Sequence, residues 1–168
     1  MSAVERLRRW LGRALEIAVI VLMLALVAVV FLGVVYRKAG ASLSWYDEVA
    51  SVMLAWLTYY GAALAALRRE HIGFSGIVDW VDVRMRLVMV AVGEIFIFAF
   101  FILLAWYGVK VLVVLGGDAL VSLPWVPTRF TQSVIPVGAA LFVLAEALSL
   151  PQVWRQAKSS VKFNIGNA

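Results

Sequence analysis

Four apolar stretches separated by charge-bearing breaks govern what this chain can fold into. Ile17–Val35 and Val49–Leu67 each run 19 residues without an ionisable side chain. Leu87–Val109 runs 23 residues interrupted only by Glu94, and Val134–Leu150 runs 17 interrupted only by Glu146. At about 1.5 Å of rise per residue, roughly 20 apolar residues in a helix cross a hydrocarbon core about 30 Å thick. The pattern predicts an all-α membrane protein with four transmembrane helices, near residues 15–36, 47–67, 87–111 and 131–150. With 64% hydrophobic and only 15% charged residues, a chain of 168 leaves no room for a separate soluble domain. A single domain, 1–168, is expected.

The net charge of +5 invites a nucleic-acid reading, but its distribution points to topology instead. Basic residues alternate with the spans. Arg6, Arg8, Arg9 and Arg13 precede the first; Arg68, Arg69, Arg84 and Arg86 lie between the second and third; Arg155, Lys158 and Lys162 follow the fourth. The other two connections hold only Arg37, Lys38, Lys110 and Arg129. The positive-inside rule therefore predicts both termini in the cytoplasm, consistent with four spans, which put both ends on one side. The first span follows a basic stretch, as a signal peptide's core does. It is too long for one and leads into Tyr36-Arg37-Lys38, so a retained helix is expected.

Outside the spans, two segments are amphipathic. In residues 4–15, Val4, Leu7, Leu11 and Leu15 share one helical stripe, with Arg6, Arg9 and Arg13 on the other face. Between spans two and three, Phe74, Ile77, Val78 and Val81 oppose Ser75, Asp79, Asp82 and Arg86, with Trp80 beside the apolar stripe. An interfacial helix over about 74–86 is predicted, with Arg9, Arg13, Trp80, Arg84 and Arg86 at the lipid headgroups. Trp45 and Tyr46 suit the opposite interface. Asp47 and Glu48 fall in the first turn of the second span, where acidic groups favour the positive end of the helix dipole. Along that span Ser51, Ala55, Thr58, Ala62 and Ala65 form a small-residue stripe that allows close helix approach, marking a protein-facing side.

Little catalytic chemistry is available. The absence of cysteine excludes disulfides, thiolate metal sites and cysteine nucleophiles. The single histidine, His71, lies between spans, so no span offers a haem ligand, and no cofactor or metal is expected. No phosphate-binding glycine loop occurs. Intramembrane acids remain, because charge in hydrocarbon is costly. Glu94 reads either as a proton- or cation-binding carboxylate or as a pairing group for a neighbouring span or partner. Glu146 lies near enough to its span's end to reach water or Arg68 or Arg69. Glu16 is a boundary residue. With helix middles of Val, Leu, Ala, Ile and Phe, the chain makes a poor solute pathway and reads as a scaffold.

Several residues then point to a family. Ser44-Trp45-Tyr46-Asp47-Glu48, followed by Trp56, Gly61-Ala62 and Arg68-Arg69-Glu70-His71-Ile72, resembles the small, DctQ-like membrane subunit of TRAP transporters. Ile135-Pro136-Val137-Gly138 at the start of span four fits the same pattern, and Asp47 replaces the more usual Glu. The resemblance covers about Leu15 to Trp154. It implies a non-enzymatic subunit of a sodium-coupled, ATP-independent uptake system for organic acids in the bacterial inner membrane. In such a system a periplasmic binding protein delivers solute to a large elevator subunit, which the small subunit braces as an obligate partner. Trp45, Asp47 and Glu48 would fix the second helix or touch the partner; Arg68, Arg69 and His71 would lie at its cytoplasmic exit. Two rivals stand beside this: a self-sufficient proton-coupled exporter using Glu16 or Glu94, and an anchor subunit of a respiratory enzyme.

Overall fold

The computed structural model describes residues 3–68 and 83–158. Among them are five helices: α1 (Ala3–Lys38), α2 (Tyr46–Arg68), α3 (Val83–Val114), a short α4 (Thr128–Gln132) and α5 (Val134–Lys158). Four segments, Val4–Lys38, Tyr46–Arg68, Val83–Val114 and Thr128–Pro151, are long and apolar enough to cross a membrane, and no strand occurs among the described residues. Lipid supplies no hydrogen bonds, so these segments satisfy their backbones internally as helices. The basic amphipathic prelude is not separate from the first span. At 36 residues α1 is about 54 Å long, so its first turns run on beyond the hydrocarbon. Residues 74–82 of the expected interfacial helix lie outside the described residues; 83–86 form the first turn of α3.

The end of α1 is set by its backbone. Gly40 takes φ 78°, while Ala41 N–H donates to Tyr36 O and Gly40 N–H to Arg37 O. This is a Schellman stop, which needs a residue tolerant of left-handed φ at that position.

The four spans form an open row, not a closed bundle. α2 packs against α1 on one side and α5 on the other, and α3 packs against α5. α1 and α3 have no packed interface with each other, so the order across the row is α1, α2, α5, α3. α1 runs antiparallel to α2, α2 parallel to α5, and α3 antiparallel to α5. One face carries the start of α1 and the end of α5 (the termini face); the other carries segments 39–45 and 115–127 (the loop face).

Each interface closes at a glycine facing a bulky neighbour. A Cβ on Gly33 of α1 would stand 2.7 Å from Tyr46 Cε2, and one on Gly138 of α5 would stand 2.6 Å from Tyr59 Cβ. Gly108 of α3 meets Pro136 and Ile135 at 3.1–3.2 Å on the same measure. Lipid tails are as apolar as leucine, so burial alone does not bind helices in a bilayer; close van der Waals contact does. Toward the termini face, Leu11, Leu15, Ala63, Ala66, Leu67, Phe142 and Ala145 make the buried core. Phe101 stacks on Phe142 with centroids 3.7 Å apart and planes at 10°.

The flanks stay open. On α3 the more buried positions (Arg86, Val90, Glu94, Phe98, Phe101, Ala105 and Gly108) follow a helical period toward α5. Much of the rest, including Phe96, Phe100, Leu103 and Trp106, is exposed, as are Val21, Leu24, Val27 and Phe31 on α1. Arg86 is only 7% exposed, because it sits on this α5-facing stripe.

The glycine contacts yield a direct test. Gly138→Leu forces a side chain into Tyr59 and should destabilise the fold by about 1–3 kcal/mol, the usual cost of overpacking. Gly93→Ala, where a Cβ meets nothing within 4 Å, should not. Reversible unfolding in mixed micelles measures both; equal effects would contradict the contact-based account.

Candidate functional site

Polar side chains gather at the two ends of the row, and each group ties elements of the chain together. At the loop face the anchor is Glu48, in the first turn of α2. Its Oε1 accepts the Val121 N–H at 3.0 Å, and its Oε2 accepts the Ser122 N–H at 2.8 Å and the Ser122 hydroxyl. A carboxylate receiving two backbone donors and a hydroxyl makes charge-assisted bonds, stronger than neutral ones. The helix-dipole reading of Glu48 was therefore incomplete: it clamps a segment more than 70 residues away.

That segment is itself ordered by its backbone. Leu120 N–H donates to Val126 O and Thr128 N–H to Asp118 O, with Ala119 and Pro127 in an isolated antiparallel bridge. Below it, Trp56 Nε1 donates to Thr131 O at 2.9 Å, and its ring meets Phe130 at 5.2 Å and Tyr60 at 6.0 Å. Arg129 Nε donates to Leu112 O at 2.8 Å, satisfying a carbonyl near the end of α3. Lys110 Nζ lies over the rings of Trp106 and Tyr107, 5.7 and 5.4 Å from their centroids. Beneath the segment lies a cavity of about 280 Å³ between α1, α2 and α4, with Leu22, Met53, Trp56 and Phe130 in its wall.

At the termini face the end of α2 is the focus. Arg8 donates to Leu67 O at 2.8 Å, and the fully buried Ser149 hydroxyl lies 3.4 Å from Ala66 O and 3.5 Å from Leu67 O, while bonding Ala145 O at 3.0 Å. The carbonyls that a helix leaves unpaired at its C-terminus thus find partners on α1 and α5. Arg68 pairs with Glu16 at 2.8 Å, both side chains more than 40% exposed. Glu146 is 4% exposed. Glu94 is half-buried on the α5-facing stripe of α3, and Arg86, Glu94 and Glu146 each engage a partner.

Other sequence-singled residues fall as follows. Trp45 is half-buried and Asp47 exposed, the Asp47 carbonyl accepting Ser51 Oγ at 2.8 Å. Thr58 likewise bonds Leu54 O, and Ser51 and Thr58 are exposed, with Ala55 half-buried. Ala62 packs against the core. Most of the contacts within the chain use other positions of α2, among them Trp56, Tyr59, Ala63 and Ala66. Arg9, Arg13 and Arg84 are exposed; Arg69, His71 and Trp80 lie outside the described residues. Sequence reasoning passed over Arg8, Arg129 and Ser149 as ties, although each lies near a helix end where unpaired carbonyls are to be expected. No group of three or more metal-ligating side chains occurs among the described residues.

Two outcomes follow. Glu48→Ala should speed amide exchange at Val121 and Ser122 selectively, with Ser122→Ala milder because it leaves both backbone bonds; unchanged protection in Glu48→Ala would refute the clamp. Glu16→Gln should shift stability by no more than about 1 kcal/mol, as exposed ion pairs do. A larger loss in the same micelle assay would assign Glu16 a greater part.

A family model described as tripartite ATP-independent periplasmic transporters, DctQ component, matches residues 26–156. No curated protein matches the chain.

Proposed function

We propose, because this chain belongs to the DctQ family and is the small membrane component of a TRAP transporter, that it acts as an immobile brace for the large membrane subunit. In this reading the large subunit carries solute and sodium, and a periplasmic binding protein docks transiently on the pair. The cargo is an organic acid, such as a dicarboxylate or sugar acid. The chain lies in the bacterial inner membrane with both termini cytoplasmic. Eleven of its fifteen basic residues fall on the termini side of the spans, which supports that orientation.

The observation that carries the reading is where the polar groups go. Glu48, Trp56, Arg8, Arg68, Ser149 and Arg129 each bond to another element of the same chain. They lock helix ends and the loop-face segment in place. A solute path needs polar groups or unwound backbone near the middle of the bilayer, whereas the described helices are continuous there. The engagement of Glu16 by Arg68 also weighs against a proton-coupled exporter built on Glu16. The flanks on α1 and α3, with the Ser51–Ala65 stripe of α2, supply apolar and small-residue surface along which a large helical partner can pack.

Reconstitution decides the matter. Proteoliposomes holding this chain alone should take up no organic acid. Adding the large subunit and binding protein should give uptake that requires an inward sodium gradient. Uptake or proton-driven efflux by the chain alone would overturn the proposal.

A further inference from the structure

The cavity beneath the loop-face segment has features of a binding site that bracing does not require. Its wall runs down α2 from Val49 to Trp56 and reaches Leu22 on α1. The α1–α2 register follows from Gly33 facing Tyr46 and Gly12 facing Leu67. That register sets Leu22 level with Leu57. From Val49 to the level of Leu57 is about 12 Å of helix, less than the roughly 15 Å of one leaflet's hydrocarbon. The cavity thus fits within the depth of a single leaflet.

Its lining cannot hold water. The Trp56 indole N–H is bound to Thr131 O, and the Thr131 hydroxyl to Thr128 O at 3.0 Å. A buried water needs about 2–4 polar partners, and the remaining side chains of the wall are aliphatic or aromatic. At about 280 Å³ the space is nearly twice the roughly 150 Å³ of an apolar cavity that takes up benzene. Nor is it free to collapse. Its roof, from Leu120 to Val126, is pinned by Glu48 through Val121 and Ser122. At the end of α1, toward the loop face, Arg37 and Lys38 are exposed, and such cations complement a phosphate.

We propose that this cavity binds one acyl chain of a membrane phospholipid, with the lipid's phosphate held at Arg37 and Lys38. The site goes beyond the bracing role and needs only that the spans sit in a bilayer. The bound chain fills space that would otherwise weaken the contact between α1, α2 and the loop-face segment, so the lipid completes the packing there.

The test uses the full chain in phosphatidylethanolamine–phosphatidylglycerol vesicles containing a little phosphatidylglycerol with a diazirine near the end of one acyl chain. After photolysis, adducts mapped by mass spectrometry should be enriched at Leu22, Met53 and Trp56 over Leu103 and Trp106, which are exposed on α3. Two variants fill the space from different sides: Val126→Trp from the roof and Val52→Trp from the wall. Each should abolish the cavity adducts and leave those on α3. A variant that misfolds alters the α3 pattern as well, and the other variant then decides. Equal labelling of Trp56 and Trp106, or cavity labelling indifferent to both fillings, would overturn the site. So would its loss on binding the large subunit, which would mean that a partner side chain fills the cavity.

Discussion

Contact between helices at glycine is the constraint on which the rest of this structure depends. In water, four apolar helices would collapse because burial itself is favourable; in lipid that drive is absent. What remains is dispersion, about 0.1–0.2 kcal/mol per well-placed atom pair, which matters only where surfaces meet over many atoms. Gly33 under Tyr46, Gly138 under Tyr59 and Gly108 under Pro136 supply those meetings, one for each interface of the row. Since α1 and α3 each pack chiefly on a single neighbour, α2 and α5 respectively, the row stays open and its flanks remain available. The bracing role proposed above rests on that geometry.

Polar chemistry finishes what packing begins. The carbonyls at the end of α2 are met by Arg8 and Ser149, those near the end of α3 by Arg129, and the first turn of α2 holds the 115–127 segment through Glu48. These bonds lie toward the ends of the spans, where unpaired backbone groups are concentrated. Membership in a family of multi-component transporters accords with this economy, since transport chemistry can then lie in another chain.

Much of this was legible in the sequence, and the exceptions are instructive. The four spans could be read because about 20 apolar residues answer to one physical length, that of the bilayer. The family could be read from the order of short motifs around Trp45–Glu48 and Arg68–Ile72. The face of α2 that packs within the chain could not. A stripe such as Ser51, Ala55, Thr58 and Ala62 marks one small-residue side, but contact needs a small residue on only one of the two helices. Here the glycines belong to α1 and α5, and α2 presents tyrosines to them. Glu48 was singled out, yet its partners were hidden, because backbone N–H groups at Val121 and Ser122 leave no trace in side-chain pattern. The burial of Arg86 was hidden for a related reason: the sequence does not show which stripe of α3 faces α5.

The central claim is that the helices form an open row that holds its shape while the transporter works. The chain has no native cysteine, so spin labels can be placed at Val21 on α1 and Leu103 on α3 without background. Because α1 also touches α5, two to three steps of about 8–10 Å separate α1 from α3 and put these labels roughly 20–30 Å apart, against about 10 Å for adjacent helices of a closed bundle. Measured by pulsed electron resonance in the assembled transporter, the account predicts the longer separation, narrow and unchanged by sodium, organic acid or binding protein. A short separation, or one that shifts when solute and sodium are added, would contradict it.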